Sequence, residues 1–241
     1  MKNENVICIM AKNPQPGRVK CELESCLSRA QAAALARAFL LDTISTALRV
    51  PGCDVSIGYW PPESGNDFED IICLFQNEER NRRVSARAGE IALIPQSGAN
   101  PGERITSLAA RLFEDGAKRI LFTCSDNPLI EPIIFKASFE LLKKHSAVIG
   151  PTFDGGYYVL GLSRPDISVF DSINWNSDGL YRQITEKLNA DLINWQELEL
   201  SYDIDRPAEL EQLYFDIDNL RLAGKNLICY HTEKCLANFK K

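Results

Sequence analysis

Short apolar runs alternate with longer segments of helical periodicity along most of the chain. The runs Val6–Ala11 and Arg119–Cys124 have the pattern of strands that are buried on both faces of a sheet. The same reasoning predicts five further strands, over Asp54–Trp60, Ile91–Pro95, Ala147–Ile149, Tyr157–Leu162 and Leu192–Trp195.

The longest helical pattern is predicted from about Ser28 to Arg49. Ser28 and Gln31 can form a capping box at its start, and Pro51-Gly52 ends it. Further helices are predicted over Ile105–Phe113, Pro132–His145, Asp178–Leu188 and Pro207–Leu222. Strands that alternate with helices predict an α/β sandwich around a mostly parallel sheet. We expect a single domain over residues 1–241, in which residues 224–241 form a C-terminal tail without an assigned role.

The polar segment Pro61–Gly89 has a less regular pattern. It predicts a loop followed by a helix, with a short strand over Ile71–Phe75 as an alternative. Its arginine-rich stretch, from Arg80 to Arg87, could face a phosphate, but a solvated helix face is the simpler interpretation.

The composition excludes several classes of protein. The chain has 241 residues, of which 45% are hydrophobic and 25% charged, as in ordinary globular proteins. Its net charge is −6 and it has no long run of Lys or Arg, which argues against nucleic-acid binding. We expect no secretory signal, no membrane span and a cytoplasmic location. An acidic protein that handles phosphates needs local cations or a divalent metal.

The eight cysteines include no Cys-x-x-Cys pair, so reduced thiols are expected. Two groups could bind zinc, Cys21 with Cys26 and Cys229 with His231 and Cys235, but their spacings are poor. A thiol-dependent enzyme lacks support, because no histidine lies beside a cysteine in a recognisable catalytic arrangement.

The loop after the first strand is rich in cations. Lys12, Arg18 and Lys20 lie within nine residues, and Gly17 lets the backbone turn. In open α/β sheets, ligands bind at the carboxyl ends of the strands. The loop therefore predicts a site for a di- or triphosphate, although it lacks the Walker pattern. The alternative is a basic surface loop.

Acidic residues follow the strand Arg119–Cys124 and recur near the end of the chain. Asp126 comes directly after this strand, where a carboxylate suits a divalent cation that bridges phosphate oxygens. Asp203 and Asp205 lie two residues apart just before a helix, and one of them could join Asp126 on a metal. Helix capping is the alternative for Asp126 and Asp205.

A third loop has one carboxylate and two glycines between apolar runs: Asp154, Gly155 and Gly156. Adjacent glycines let a backbone approach a ligand, and the acid can hold a metal or a sugar hydroxyl. A hairpin turn is the structural alternative, since Asp-Gly favours hairpins by itself.

Six short motifs occur in order over roughly residues 5 to 215. They are Ala11-Lys12-x-Pro14-x-Pro16-Gly17-Arg18-Val19-Lys20, Gln96-x-Gly98-x-x-x-Gly102-x-Arg104, Ser125-Asp126-x-Pro128, Gly150-Pro151-x-x-Asp154-Gly155-Gly156-Tyr157-Tyr158, Trp175-x-Ser177-Asp178 and Asp203-x-Asp205-x-Pro207. With them the chain resembles the bacterial glycosyltransferase-A-like family of unassigned substrate. That family is distantly similar to molybdenum cofactor guanylyltransferase and phospholactate guanylyltransferase.

The resemblance implies a three-layer α/β/α sandwich with a Rossmann-like sheet, of the nucleotide-diphospho-sugar transferase type. It implies a transferase that binds a nucleotide or nucleotide-sugar and an unknown small acceptor. Asp126 and Asp205 would hold Mg²⁺ or Mn²⁺, and Lys20, Asp126 and Asp154 would be catalytic. The remaining roles are phosphate binding for Lys12, Gly17, Arg18, Lys20, Gln96 and Arg104, and the acceptor or sugar side for Gly155, Gly156, Trp175 and Asp178.

One departure from the family pattern affects the phosphate loop. After Val19-Lys20 the family continues Thr-Arg-Leu, whereas this chain has Cys21-Glu22-Leu23. An acid beside a phosphate replaces an attraction with a repulsion, each about 3 kcal/mol at 6 Å and an effective dielectric of 20. Three functions therefore stay open: glycosyl transfer, which the closest resemblance favours, nucleotidyl transfer, and a degenerate protein that binds nucleotide without catalysis.

Overall fold

A computed structural model of the chain describes residues 2–78, 90–165, 170, 173–175, 177, 179–225 and 228–239. Seven strands form one sheet in the order β3-β2-β1-β4-β6-β5-β7. The strands are β1 Asn5–Lys12, β2 Cys53–Trp60, β3 Ala92–Pro95, β4 Arg119–Cys124, β5 Ala147–Pro151, β6 Tyr157–Leu162 and β7 Trp195–Glu197. The α-helices are α1 Arg29–Leu48, α2 Gly65–Asn77, α3 Pro101–Glu114, α4 Pro132–Leu141, α5 Leu180–Ala190, α6 Pro207–Leu222 and α7 Tyr230–Phe239.

The sheet is parallel except at β6. Strand β1 pairs in parallel with β2 and β4, β2 pairs in parallel with β3, and β5 pairs in parallel with β7. Strand β6 is antiparallel to both β4 and β5, since the short hairpin at 152–156 joins β5 to β6. The carboxyl ends of the other six strands therefore lie at one edge of the sheet.

Alternate residues of β1 face two different helical layers. Ile7 and Ile9 pack in a cluster with α1, α2 and α4, whereas Val6 and Cys8 pack in a second cluster with α3 and α5. All four side chains are fully buried, as the continuous apolar run predicts for a strand covered on both faces. The predicted three-layer α/β/α sandwich with a mostly parallel sheet is confirmed.

Helix α1 is buried on two sides. Leu40 and Ile44 contact the sheet, while Leu35 and Phe39 pack in a third cluster with α6 and α7. A helix that is covered on both sides has apolar residues around most of its circumference. Helix α7 lies within residues 224–241, to which the sequence assigns no role, and it packs against α1.

A buried carboxylate joins α1 to α7. Asp42 of α1 is 1% exposed, and its carboxylate accepts hydrogen bonds from the backbone N–H groups of His231 at 2.9 Å and Thr232 at 2.8 Å. These amides belong to the first turn of α7, where backbone N–H groups have no partner inside the helix. Burial raises the pKa of Asp42 to about 7, and the hydrogen bonds from Thr232 and His231 only partly oppose this rise.

We expect Asp42→Asn to reduce the slope of stability against pH between about pH 4 and pH 7 by the contribution of this one group. In this window the folded protein keeps a proton on Asp42 that the unfolded chain has released, so rising pH lowers the free energy of unfolding. The slope from one such group is about 1.4 kcal/mol per pH unit. Urea unfolding at several pH values measures it. Asp70→Asn, on the exposed face of α2, is the control and should keep the wild-type slope.

The helix predicted within Pro61–Gly89 is present as α2, whereas the alternative strand in this segment and one other predicted strand are wrong. The alternative strand over Ile71–Phe75 is part of α2, because Phe68, Ile71, Ile72 and Phe75 recur at helical spacing and are buried together. The strand predicted over Leu192–Trp195 instead begins at Trp195. Leu192 adopts a positive φ of 54° after α5, in a turn where it is 92% exposed.

The arginine-rich stretch from Arg80 to Arg87 lies outside the described residues. No helix in the described part of the chain is both long enough and apolar enough to cross a membrane.

Candidate functional site

The predicted site loops gather at the edge formed by the carboxyl ends of the parallel strands. Six loops meet there because β1, β2, β3, β4, β5 and β7 run in the same direction. Among them are the cationic loop at 13–20 after β1, the loop at 125–131 after β4, and the segment 198–206 after β7. The topology thus brings together residues that lie far apart in the sequence.

Backbone and side-chain hydrogen bonds fix the segment 201–205 beside the loop after β4. The amide of Ile204 donates to the carbonyl of Asp126 at 3.0 Å, and Nδ2 of Asn127 donates to Oγ of Ser201 at 2.8 Å. The amide of Ser201 donates to the carbonyl of Pro151 at 3.0 Å, which extends the contact to the end of β5. This arrangement positions Asp205 next to Asp126.

Lys20 joins the two carboxylates. Its Nζ lies 2.5 Å from Oδ1 of Asp126 and 2.8 Å from Oδ1 of Asp205. The Lys20 side chain is only 4% exposed. Burial opposes the charge on this ammonium group, but the attraction of Asp126 and Asp205 is larger and raises the pKa of Lys20 above its ordinary value. Lys20 is therefore a fixed cation between two acids.

The backbone at Lys20 is strained. Its φ of 50° and ψ of 39° are left-handed, and it precedes the short 3₁₀ helix Cys21–Ser25. This conformation costs a residue with a side chain about 1 kcal/mol or more. Such strain persists only where the surroundings enforce it, and here the two ion pairs hold the side chain inward.

Asp203 is a further acidic residue of this group, and its role could not be assigned from the sequence. Its Oδ1 accepts a hydrogen bond from Sγ of Cys124 at 3.4 Å. Burial and the nearby charge of Asp126 raise the pKa of Asp203 to about 8. Burial and the charge of Asp203 likewise raise the pKa of the Cys124 thiol well above its usual value. The spacing of Asp203 and Asp205 signalled an acidic pair, but not which acid would meet Lys20.

A cavity of about 520 Å³ opens beside Lys20 and is lined by most of the predicted phosphate ligands. Its basic lining residues are Lys12, Arg18, Lys20 and Arg104, and its acidic ones are Glu22, Asp126 and Asp205. Gly17 is not among the lining residues. Its φ of 72° serves the turn, and a Cβ there would lie 3.5 Å from Cδ of Arg29.

Arg104 and Gln96 also line this first cavity. The guanidinium of Arg104 stacks on the ring of Trp60 at 3.6 Å, and its Nε donates to the carbonyl of Gly98 at 3.2 Å. Nε2 of Gln96 donates to the carbonyl of Gly58 at 2.7 Å. Both side chains are thus held in place before any ligand arrives, which favours recognition with little loss of entropy.

A second cavity of about 290 Å³ adjoins the first, and Glu22 and Asp205 line both. The predicted acceptor-side residues Gly156 and Trp175 line it, as does Asp154, whereas Gly155 does not. Asp178 lies outside the described residues.

The Asp154 loop is a hairpin turn. Gly155 has a φ of 84°, and Oδ1 of Asp154 accepts bonds from Oγ1 of Thr152 at 2.5 Å and the amide of Gly156 at 3.1 Å. The backbone of this loop therefore has the hairpin turn that the sequence offered as the structural alternative. Both hydrogen bonds are accepted by Oδ1 of Asp154, and Asp154 also lines the second cavity.

Trp175 connects the walls of the two cavities. It lines the second cavity, and its indole lies against Gly102 in the first turn of α3. A Cβ at Gly102 would lie 2.0 Å from Nε1 of Trp175, so only glycine fits beneath this ring. Pro101 and Arg104, on the same turn, line the first cavity.

Glu22 forms an ion pair beside the phosphate loop. Its Oε2 pairs with Nε of Arg206 at 3.0 Å, and its side chain is 63% exposed. The repulsion expected from the sequence is therefore reduced by the partner cation and by solvent screening.

Asp126 and Asp205 fit a divalent cation that is completed by substrate. Both carboxylates already share one positive charge, the Lys20 ammonium. Mg²⁺ is commonly held by one or two carboxylates together with substrate phosphates and water. In the described part of the chain, no three His, Cys, Asp or Glu side chains converge into a metal-binding group. Two carboxylates beside a cavity with basic lining residues suit a metal that arrives with a phosphate ligand.

Comparisons with known proteins agree with this architecture. Residues 64–177 match the family described as "Uncharacterized protein conserved in bacteria (DUF2064)". A solved structure from Desulfovibrio desulfuricans G20, provisionally assigned as a nucleotide-diphospho-sugar transferase, is 26% identical, with a TM-score of 0.77 and 98% of each chain covered. No curated protein sequence is significantly similar.

Two more distant structures share the fold. 4-Diphosphocytidyl-2C-methyl-D-erythritol synthase from Anaerococcus prevotii DSM 20548 is 14% identical, with a TM-score of 0.54 over 90% of this chain and 96% of that one. CMP:2-keto-3-deoxy-manno-octonic acid synthetase complexed with CTP is 12% identical, with a TM-score of 0.52 over 90% and 99%. The fold is thus the nucleotide-diphospho-sugar transferase type expected from the sequence, and the transferase class expected for the chain is also that of the Desulfovibrio protein.

Proposed function

We propose that this protein is a metal-dependent transferase that uses a nucleotide-activated sugar and passes the glycosyl group to a small acceptor. The observation that carries the proposal is the Lys20 ion-pair group, which lies at the boundary between a cavity with four basic side chains and a second cavity beside it. The likeness to the Desulfovibrio protein supports the same class.

The first cavity is the proposed donor site. Lys12 and Arg18 would bind the outer phosphate oxygens, and Lys20 would stabilise the negative charge that develops on the departing diphosphate. Asp126 and Asp205 would hold Mg²⁺ or Mn²⁺, which supplies further charge neutralisation to the diphosphate.

The second cavity is the proposed acceptor site. Asp154 would orient the acceptor hydroxyl, whose oxygen forms a bond to the anomeric carbon of the donor. The bond from this carbon to the diphosphate breaks, and its electron pair stays on the diphosphate oxygen. The acceptor proton passes to a carboxylate of the cavity and then to water. Trp175 would limit the access of water to the reacting atoms.

Nucleotidyl transfer from a nucleoside triphosphate is the second candidate. Lys12 and Arg18 line the first cavity together with Lys20 and form no ion pair with another described residue, so the cavity offers charge for a third phosphate. The synthetase complexed with CTP has the same fold, although at 12% identity this likeness concerns the fold alone.

Isothermal titration of nucleotides and nucleotide-sugars in the presence of Mn²⁺ tests the proposed function. Binding of a nucleotide-sugar that is lost in Asp126→Asn is the expected result, because this change removes one of the two charges proposed to hold the metal. Analysis of the products by phosphorus NMR then separates the candidates: release of a nucleoside diphosphate indicates glycosyl transfer, and release of pyrophosphate indicates nucleotidyl transfer. Failure of every nucleotide to bind would argue strongly against a transferase.

The departure at Glu22 is expected to have only a small effect on nucleotide binding. Because Glu22 is exposed and paired with Arg206, we expect Glu22→Gln to raise nucleotide affinity by no more than a few fold at 150 mM salt. The same titration measures this. A gain of a hundredfold or more would instead support the hypothesis of a degenerate site that has lost its substrate through this acid.

A further inference from the structure

The two cavities differ sharply in charge. The first has four basic and three acidic lining residues, and two of those acids are bound to Lys20. Among the described residues that line the second cavity, five are acidic and one is basic. The acidic residues are Glu22, Asp154, Asp203, Asp205 and Glu209.

The basic residue of the second cavity is already engaged. Arg206 pairs with Glu22 at 3.0 Å, so it offers an incoming anion less charge than an unpaired guanidinium would. Lys20 is bound to Asp205 and Asp126 and lines the first cavity, not the second. A phosphate or carboxylate in the second cavity would therefore meet the carboxylates of Asp154 and Glu209, which form no ion pair with another described residue. Glu22 and Asp205 are each partly neutralised by a partner cation.

Apolar and aromatic surface fills the spaces between these acids. The second cavity is lined by Phe153, Trp175, Leu180 and Tyr202. Phe153 is 74% exposed and lines the cavity, so its ring is accessible to a ligand. Aromatic faces and carboxylates together suit a molecule with C–H faces and many hydroxyl or amino donors, because the rings pack on the former and the acids accept from the latter.

We propose that the acceptor is a polyhydroxylated molecule that is uncharged or carries an amine, and that the second cavity rejects acceptors with a phosphate or carboxylate group. This inference rests on the proposed function, since it concerns the acceptor site of the same reaction. It also favours glycosyl transfer to a hydroxyl over nucleotidyl transfer to a phosphate monoester. The volume of about 290 Å³ has room for a group of the size of a monosaccharide.

Three matched probes test the inference: methyl α-D-glucopyranoside, its 2-amino-2-deoxy form and its 6-phosphate. Ligand-observed NMR measures their dissociation constants with a bound nucleoside diphosphate and Mg²⁺. We expect the neutral and amino forms to bind at least about tenfold more tightly than the phosphate at 50 mM salt. The preference should narrow at 500 mM salt, because salt screens the repulsion.

A charge-only variant links the preference to this cavity. Oε2 of Glu209 accepts hydrogen bonds from the backbone amides of Arg206 at 2.5 Å and Asp205 at 3.3 Å. A glutamine oxygen can accept the same hydrogen bonds. Glu209→Gln should therefore preserve the N-terminus of α6. It should reduce about threefold the ratio between the dissociation constants of the 6-phosphate and the neutral glycoside. Glu140→Gln makes the same charge change on α4, where Glu140 pairs with Lys143 and lines neither cavity, and should leave the preference unchanged.

Two results would overturn the inference. One is equal or tighter binding of the 6-phosphate, and the other is no binding of any of the three glycosides while the nucleotide is bound. Failure of the nucleotide itself to bind, measured by titration without glycoside, would count against the proposed function instead. The two failures are thus distinguishable.

Discussion

Replacement of Lys20 by methionine should lower the transfer rate by about 10²–10³-fold, the loss typical when one donor to a developing negative charge is removed. Lys20 is the buried cation that contacts both Asp126 and Asp205. Methionine keeps much of the side-chain volume but leaves these carboxylates without their shared cation. Steady-state kinetics with the nucleotide-sugar identified by titration measure the loss.

The same variant should gain a metal response. Without the ammonium group, a divalent cation has no competitor for the two carboxylates, so Mn²⁺ should raise the melting temperature of Lys20→Met more than that of the wild type. Lys12→Met is the matched control, because Lys12 lines the same cavity but has no ion-pair partner among the described residues. It should weaken nucleotide binding and leave the Mn²⁺ response unchanged. Equal nucleotide affinity and an equal Mn²⁺ response in Lys20→Met and wild type would contradict the proposed role of Lys20.

Gly102→Ala should displace Trp175 and disturb both cavities. The added Cβ would lie 2.0 Å from Nε1 of the indole, so the ring has to move. We expect a loss of about 1–3 kcal/mol, as for an overpacked site, even though alanine is the better helix former. That corresponds to a fall in melting temperature of about 2–4 °C per kcal/mol for a chain of this size. Scanning calorimetry measures the loss, and a shift in tryptophan fluorescence follows the ring.

A double variant separates the clash from a general effect on α3. In Gly102→Ala combined with Trp175→Leu, the ring is absent, so the double variant should be more stable than the sum of the two single changes predicts. Gly179→Ala serves as the control, since a Cβ there meets nothing within 4 Å. Additive losses in the double variant would show that Trp175 is not the obstacle.

Much of the architecture could be predicted from local patterns. The buried run of β1 and the capping box formed by Ser28 and Gln31 are visible in the sequence and present in the structure. Alternatives stayed open where a short pattern suits two structures. The residues 71–75 are apolar enough for a strand, and only the longer spacing from Phe68 identifies the helix. The contact between Trp175 and Gly102 could not be predicted, because the only sequence signal was the glycine itself.

Local sequence thus determined the order of strands and helices, the cationic loop and the acids that follow the strands, because periodicity, turns and charge are properties of neighbouring residues. Only the tertiary structure decided that Lys20 turns inward to Asp126 and Asp205, that Arg206 pairs with Glu22, and that acids and aromatic rings share a second cavity. These contacts depend on the crossover of the parallel strands, which brings residues separated by more than a hundred positions to one edge of the sheet.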